Sequence, residues 1–130
     1  MTVKPAAGFF KRLLACLRAD ASFSPCGLYR WELHRPVLRS SGDDGLRLLL
    51  FVGLNPSTAD GDRDDPTLRR LQAFARDWGY DQLVVLNLFG RISASPAALG
   101  RCRDPVGRCS DQVLRSWFGR WSGSPSWDLW

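Results

Sequence analysis

Two asparagines, a serine–threonine pair and a crowd of aspartates are the residues of this chain best equipped for chemistry. Asn55 ends an apolar run and is followed by Pro56, Ser57 and Thr58; Asp60, Asp62, Asp64 and Asp65 come next, and Asn87 stands near the end of a second apolar run. A carboxamide offers both a donor and an acceptor at any pH, so an asparagine at each of two strand ends can hold a polar ligand or orient a water molecule without ionising. The competing reading is that each side chain only closes a turn, a frequent use of asparagine. Ser57 and Thr58 do not fit a nucleophile: "NPSTA" lacks the G-x-S-x-G elbow, and the sole candidate base, His34, is far away in sequence. Their hydroxyls and backbone amides suit a bound phosphate instead.

Metal chemistry finds little support. The run "DGDRDD" begins like a calcium loop, yet Asp65 falls where that loop needs glycine and Leu71 where it needs a bidentate glutamate. Acids that open a helix are the plainer account, with a magnesium ion held by Asp60 and a bound phosphate as the one metal use left open. Cys16, Cys26, Cys102 and Cys109 form no C-x-x-C pair, so no zinc site is expected. Neither a metal nor another cofactor is expected. Beyond Asn87, "NLFGRISASPAALGRCRDPVGR" carries Phe89, Arg91, Arg101, Arg103 and Arg108 against the single acid Asp104. Such arginines either meet phosphates or belong to an ordinary solvated loop.

The elements that must position these residues follow from periodicity. "LRLLLFVGL" is apolar on both alternating faces, as a strand covered on both sides requires. Asp65-Pro66 then starts a helix, since Asp65 can accept first-turn amides and Pro66 sits where a missing N–H costs nothing. Leu68, Leu71, Ala75 and Trp78 share one face of it, and Gly79 supplies the stop. "LVVLNLF" is a second buried strand. Strand, helix and strand make a βαβ unit with parallel strands, and ligands of such sheets sit outside the carboxyl ends, which brings Asn55 and Asn87 to one crevice. Upstream, "LYRWELHRPVL" reads as a strand with Pro36 near its end, and "RSSGDDG" as a loop. "GFFKRLLACLRAD" has helical spacing, with Lys11 and Arg12 interrupting what a signal peptide would keep apolar.

At 130 residues, 45% hydrophobic, the chain fits one domain with a modest core. A net charge of +5 admits nucleic acid or a nucleotide as partner, although a charge of that size also simply keeps a domain soluble. No apolar run is long enough to span a bilayer, so no membrane partner is expected, and four reduced thiols fit the cytoplasm.

"YRWEL", "GLNPSTAD", "DDPTLRR", "FARDWGY", "VVLNLFGRIS" and "DPVG", in this order, resemble domain-of-unknown-function family 1643, over approximately Tyr29 to Gly107. That family has no assigned activity. Behind it, "GLNPS" with the later "NLFGR" is similar to the G-x-N-P-G and Asn-Leu motifs of the uracil-DNA glycosylase superfamily. This second resemblance implies a parallel sheet flanked by helices and a water-positioning role for Asn55, with Asn87 and Phe89 holding an extruded base. The chain departs from that pattern in Ser57, which replaces the motif's second glycine, and in having no histidine after His34.

The expectation is therefore a single three-layer α/β/α domain with a mostly parallel sheet over residues 23–107. A helical extension over 1–22 precedes it, and an atypical tail over 108–130, rich in Trp and Ser, follows as a truncated or frameshifted end. The expected function is hydrolysis of an N-glycosidic bond, with Asn55 orienting water and Pro56, Ser57, Thr58, Asp60, Asn87, Phe89 and Arg91 binding substrate. The alternative is a nucleotide- or phosphate-binding module without catalysis, or an inactive fragment.

Overall fold

A computed structural model describes residues 19–37 and 46–130. Eight elements follow in chain order: β1 (Asp20–Phe23), β2 (Arg30–Pro36), β3 (Leu48–Gly53), α1 (Pro66–Asp77), β4 (Gln82–Asn87), α2 (Pro96–Gly100), α3 (Ser110–Ser122) and β5 (Trp127–Leu129). The strands form one sheet in the order β1-β2-β4-β3-β5.

The strand–helix–strand unit lies where its pattern put it. Leu48 to Gly53 pair in parallel with Gln82 to Asn87, residue for residue. Between them α1 opens on Asp65, whose carboxylate accepts the Leu68 N–H at 2.8 Å, with Pro66 in the first turn. It buries Leu68, Leu71 and Ala75, and Gly79 at φ +82° turns the chain out of it, a conformation that glycine adopts without strain. Trp78 departs from the expected face: it is half-exposed and stacks on Phe74 rather than entering the core.

The sheet is mixed, which corrects the expectation of mostly parallel strands. β2 runs antiparallel to β4, and β1 antiparallel to β2, while β5 pairs in parallel with β3. Two parallel and two antiparallel pairings result because β2 runs opposite to β3 and β4. The helical extension expected through residue 22 also needs correction at its end, since Asp20 to Phe23 are strand; residues 1–18 lie outside the described residues, as does the loop expected over 39–45.

Residues 108–130 supply α3 and β5. Backbone bonds from Trp130 N–H to the Leu50 carbonyl (2.8 Å) and from Val52 N–H to the Trp130 carbonyl (3.0 Å) prolong the β3–β5 ladder. Alternate strand residues divide between two apolar clusters. Leu33, Leu49, Leu83 and Val85 pack with Leu68, Leu71 and Ala75 of α1; Leu48, Leu50, Val84 and Leu86 pack with Trp117 of α3. Each fully buried leucine contributes roughly 1.5–3 kcal/mol, so both clusters matter to stability. Among the described residues no helix is long and apolar enough to cross a membrane.

Candidate functional site

At the carboxyl ends of β3 and β4, Gly53 stands in register with Asn87. Pairing continues past both strands: Leu88 N–H donates to the Gly53 carbonyl and Phe89 N–H to the Leu54 carbonyl, each at 2.9 Å. A Cβ at position 53 would sit 3.0 Å from Asn87 Nδ2 and 3.1 Å from Phe51 Cε1, so a side chain there would push these groups by a few tenths of an ångström.

A pocket of about 190 Å³ opens at this rim. Its apolar wall comes from Leu33, Phe51, Leu68, Leu71 and Val85, and its polar groups are Arg30, Asn55, Ser57, Asp65, Thr67 and Asn87. Asn55 and Asn87 thus share one cleft, as the βαβ topology required. Apolar cavities of about 150 Å³ accept benzene, so this one has room for a single ring with polar substituents.

Partner chemistry fixes the sense of each carboxamide. Asn55 faces two carbonyls, of Pro56 and Ser93, each at 3.1 Å, and only its Nδ2 can donate to them. Its Oδ1 meets no protein donor among the described residues and remains an acceptor. Asn87 faces the Arg30 guanidinium at 3.3 Å, which only donates, so Oδ1 lies there and Nδ2 remains a donor. Asn55 does close a turn, but Ser93 N–H also donates to the Pro56 carbonyl at 2.9 Å, and together these bonds clasp the two strand-end loops.

Arg30 is the pocket residue that the sequence did not reveal. It is only 5% exposed; one terminal nitrogen donates to the Ala59 carbonyl at 2.9 Å, another to Asn87, and its buried Nε has no hydrogen-bond partner. Burial pulls this guanidinium down to about 10, with Asp65 opposing and Arg35 adding to the shift, so it remains charged at neutral pH. Simple alternation would put Arg30 with Glu32 and His34, on the side of Trp117. The pairing register instead steps at Trp31, with Ser22 opposite Glu32 and Phe23 opposite Arg30, and the irregularity re-aims Arg30 toward α1. A charged residue second in the motif "YRWEL" was the only visible signal.

The aspartates are used by the scaffold. Asp65 accepts from Leu68 N–H and, at 2.9 Å, from the Ser57 hydroxyl. Burial works against its ionisation, but the hydrogen bonds of Leu68, Ser57 and Ala59 and the charge of Arg30 outweigh it and hold the carboxyl below its ordinary value. Asp60 accepts the N–H groups of Asp62 and Arg63, at 2.9 and 2.7 Å, closing its own turn. Arg35 anchors the whole loop: it meets Asp64 at 2.9 Å and donates to the carbonyls of Asp60 and Arg63. Among the described residues no three His, Cys, Asp or Glu side chains gather as a metal site.

Of the other residues expected at the site, Pro56 and Ser57 line the pocket, whereas Thr58, Asp60, Phe89 and Arg91 do not. Thr58 is exposed. Phe89 lies beyond the rim, and Arg91 is drawn away, its guanidinium 5.8 Å from the centre of the Tyr29 ring and its N–H on the Pro105 carbonyl.

Fold and pocket together define an α/β domain with a mixed sheet and a polar cleft where its two central parallel strands end. Residues 30–124 match the family described as "Protein of unknown function (DUF1643)", and the chain belongs to that family. The matched span includes every pocket residue and the whole of α3. No curated protein and no solved structure matches the chain.

Proposed function

We propose that the pocket receives a single nucleobase and that Asn55 orients the water that hydrolyses its N-glycosidic bond. One observation carries this reading: Asn55 and Asn87 line the same ring-sized pocket with carboxamides set in opposite senses. The free Nδ2 of Asn87 donates to a carbonyl of the base, and the free Oδ1 of Asn55 accepts from water. As the C–N bond breaks, its electron pair leaves with the base while the sugar approaches an oxocarbenium ion. Water oxygen then bonds to the anomeric carbon and loses its proton to solvent, a step that needs orientation more than a strong base. Arg30, desolvated beside Asn87, offsets the negative charge on the departing base.

The similarity of "GLNPS" and "NLFGR" to the uracil-DNA glycosylase superfamily supports the same roles, with nucleic acid or a nucleotide as substrate and the cytoplasm as location. A three-layer arrangement, with α1 and α3 on opposite faces of the sheet, belongs to the same proposal. A phosphate-binding module fits less well. The Ser57 hydroxyl is committed to Asp65, whose carboxylate would repel a phosphate, and Thr58 faces solvent.

The test is incubation of the purified chain with oligonucleotides containing uracil, hypoxanthine or a mismatch, followed by alkali. Strand breaks with wild type and their loss in Asn55→Ala are expected. Absence of breaks with wild type on every substrate would overturn the reading.

A further inference from the structure

Next to Phe51 of the pocket wall lies a cluster of half-exposed aromatic rings that neither core claims. Phe74, Trp78 and Trp130 are 45%, 46% and 47% exposed, although they touch one another. Phe74 stacks on Trp78 at 5.4 Å, and Trp130 meets Trp78 edge-on at 5.0 Å and Phe74 at 5.9 Å. Trp130 is held in place by its backbone pairing with β3, so the cluster is built on two rigid elements, a helix and a sheet edge. It is also continuous with the pocket, because Phe51 both lines the pocket and meets the Trp130 ring at 5.1 Å.

Charge accompanies the rings. Arg70, Phe74 and Trp78 follow one another at intervals of four along α1 and so form one exposed row, with Arg69 and Arg76 exposed nearby and Asp77 the single exposed acid of the helix. Thr67 and Leu71, one step around the helix, line the pocket. Cationic groups interleaved with exposed aromatic faces suit a flexible polyanion that carries planar groups, whereas a purely apolar partner would leave the arginines desolvated.

Building on the nucleobase reading of the pocket, we propose that this row is a stacking platform for single-stranded nucleic acid. Nucleotides flanking the base in the pocket stack on Trp78, Phe74 and Trp130, while Arg70 meets the backbone. The substrate is then a base within an unpaired polynucleotide rather than a free nucleoside. Stacking reads any base face, so the platform is indifferent to flanking sequence.

Fluorescence anisotropy with a labelled single-stranded oligonucleotide, the matching duplex and a mononucleotide tests this. Wild type should bind the single strand more tightly than the duplex. Trp78→Ala and Phe74→Leu should each weaken single-strand binding by about 5- to 150-fold, the range set by loss of one aromatic stack. Phe74→Leu keeps apolar cover, and an unchanged melting temperature in that variant separates lost stacking from lost fold. Binding of the mononucleotide should be unaffected by either substitution. Equal single-strand affinity in wild type and both variants would overturn the proposal, as would concentration-dependent dimerisation that Trp78→Ala abolishes. Should base release depend on Asn55 while single-strand binding ignores Trp78, the platform fails and the pocket reading stands. Single-strand binding through Trp78 without base release would instead leave the platform and remove the hydrolase.

Discussion

Near α1, Arg30, Asn87, Asn55 and Asp65 surround an open pocket, and Arg30 Nε, Asn87 Nδ2 and Asn55 Oδ1 have no protein partner among the described residues. Near α3, Glu32 and His34 of β2 are closed in by one tryptophan. Trp117 donates its indole N–H to Glu32, lies 5.4 Å from the His34 ring, and is itself covered by Arg120 at 4.6 Å. His34, whose Nε2 stands 3.8 Å from Glu32 Oε1, and the Trp117 donor hold the Glu32 carboxyl below its ordinary value against the effect of burial. Both places bury polar groups from β2, and His34 Nε2 beside Trp117 also lacks a hydrogen-bond partner; around Arg30 the unpartnered groups belong to residues that line a pocket. Buried polar capacity that the protein does not satisfy is costly, and its concentration around a ring-sized space is the mark of a ligand site.

The sharpest way to break this contrast is to damage the closed side. Trp117→Ala should cost about 3–5 kcal/mol in urea denaturation, because it removes the cover of the second cluster and the donor to Glu32. A loss under 1 kcal/mol would show that α3 contributes little there. On the open side the order of effects should reverse. Asn55→Ala should lower base release about 10²- to 10³-fold while costing less stability than the tryptophan.

How far the sequence foretold these two sides depends on how local each signal was. β3, α1 and β4 were legible because their cues lie within the elements: apolar residues on both strand faces, Asp65-Pro66 at the helix start and Gly79 at its end. The meeting of Asn55 and Asn87 followed from that topology alone. β1 and β5 were not legible, since "DASF" and "WDL" are short edge strands whose partners lie far away in sequence. The direction of β2 was hidden for the same reason. Arg30 was missed because the step at Trp31 breaks the two-residue alternation on which a strand reading rests. Phe89 and Arg91 were expected at the pocket because they follow Asn87 closely, but neither lines it: the Phe89 backbone stays paired to Leu54, and Arg91 lies by Tyr29 and Pro105.

Smaller effects refine the comparison. Asp65→Ala removes the α1 cap and the acceptor of the Ser57 hydroxyl, and should cost about 0.5–2 kcal/mol. Because the folded protein holds Asp65 below its ordinary value, its contribution is complete above the unfolded carboxylate range and fades as pH falls through the folded value. Urea midpoints measured from neutral to acid pH should therefore fall less steeply in Asp65→Asn than in wild type; parallel curves would show that another carboxylate dominates. Arg91→Ala should change stability by less than about 0.5 kcal/mol, and base release not at all, since its side chain lies outside the pocket.

The central claim is that a nucleobase enters the cleft and is met by the free donor of Asn87. Side-chain amide NMR of the ¹⁵N-labelled protein, titrated with free uracil and with hypoxanthine, tests it most directly. The account predicts that the Asn87 NH₂ signals move, while those of Asn55, bound to the Pro56 and Ser93 carbonyls, move much less. If neither base shifts the Asn87 signals at any concentration, the pocket does not take a nucleobase and the proposed function is contradicted.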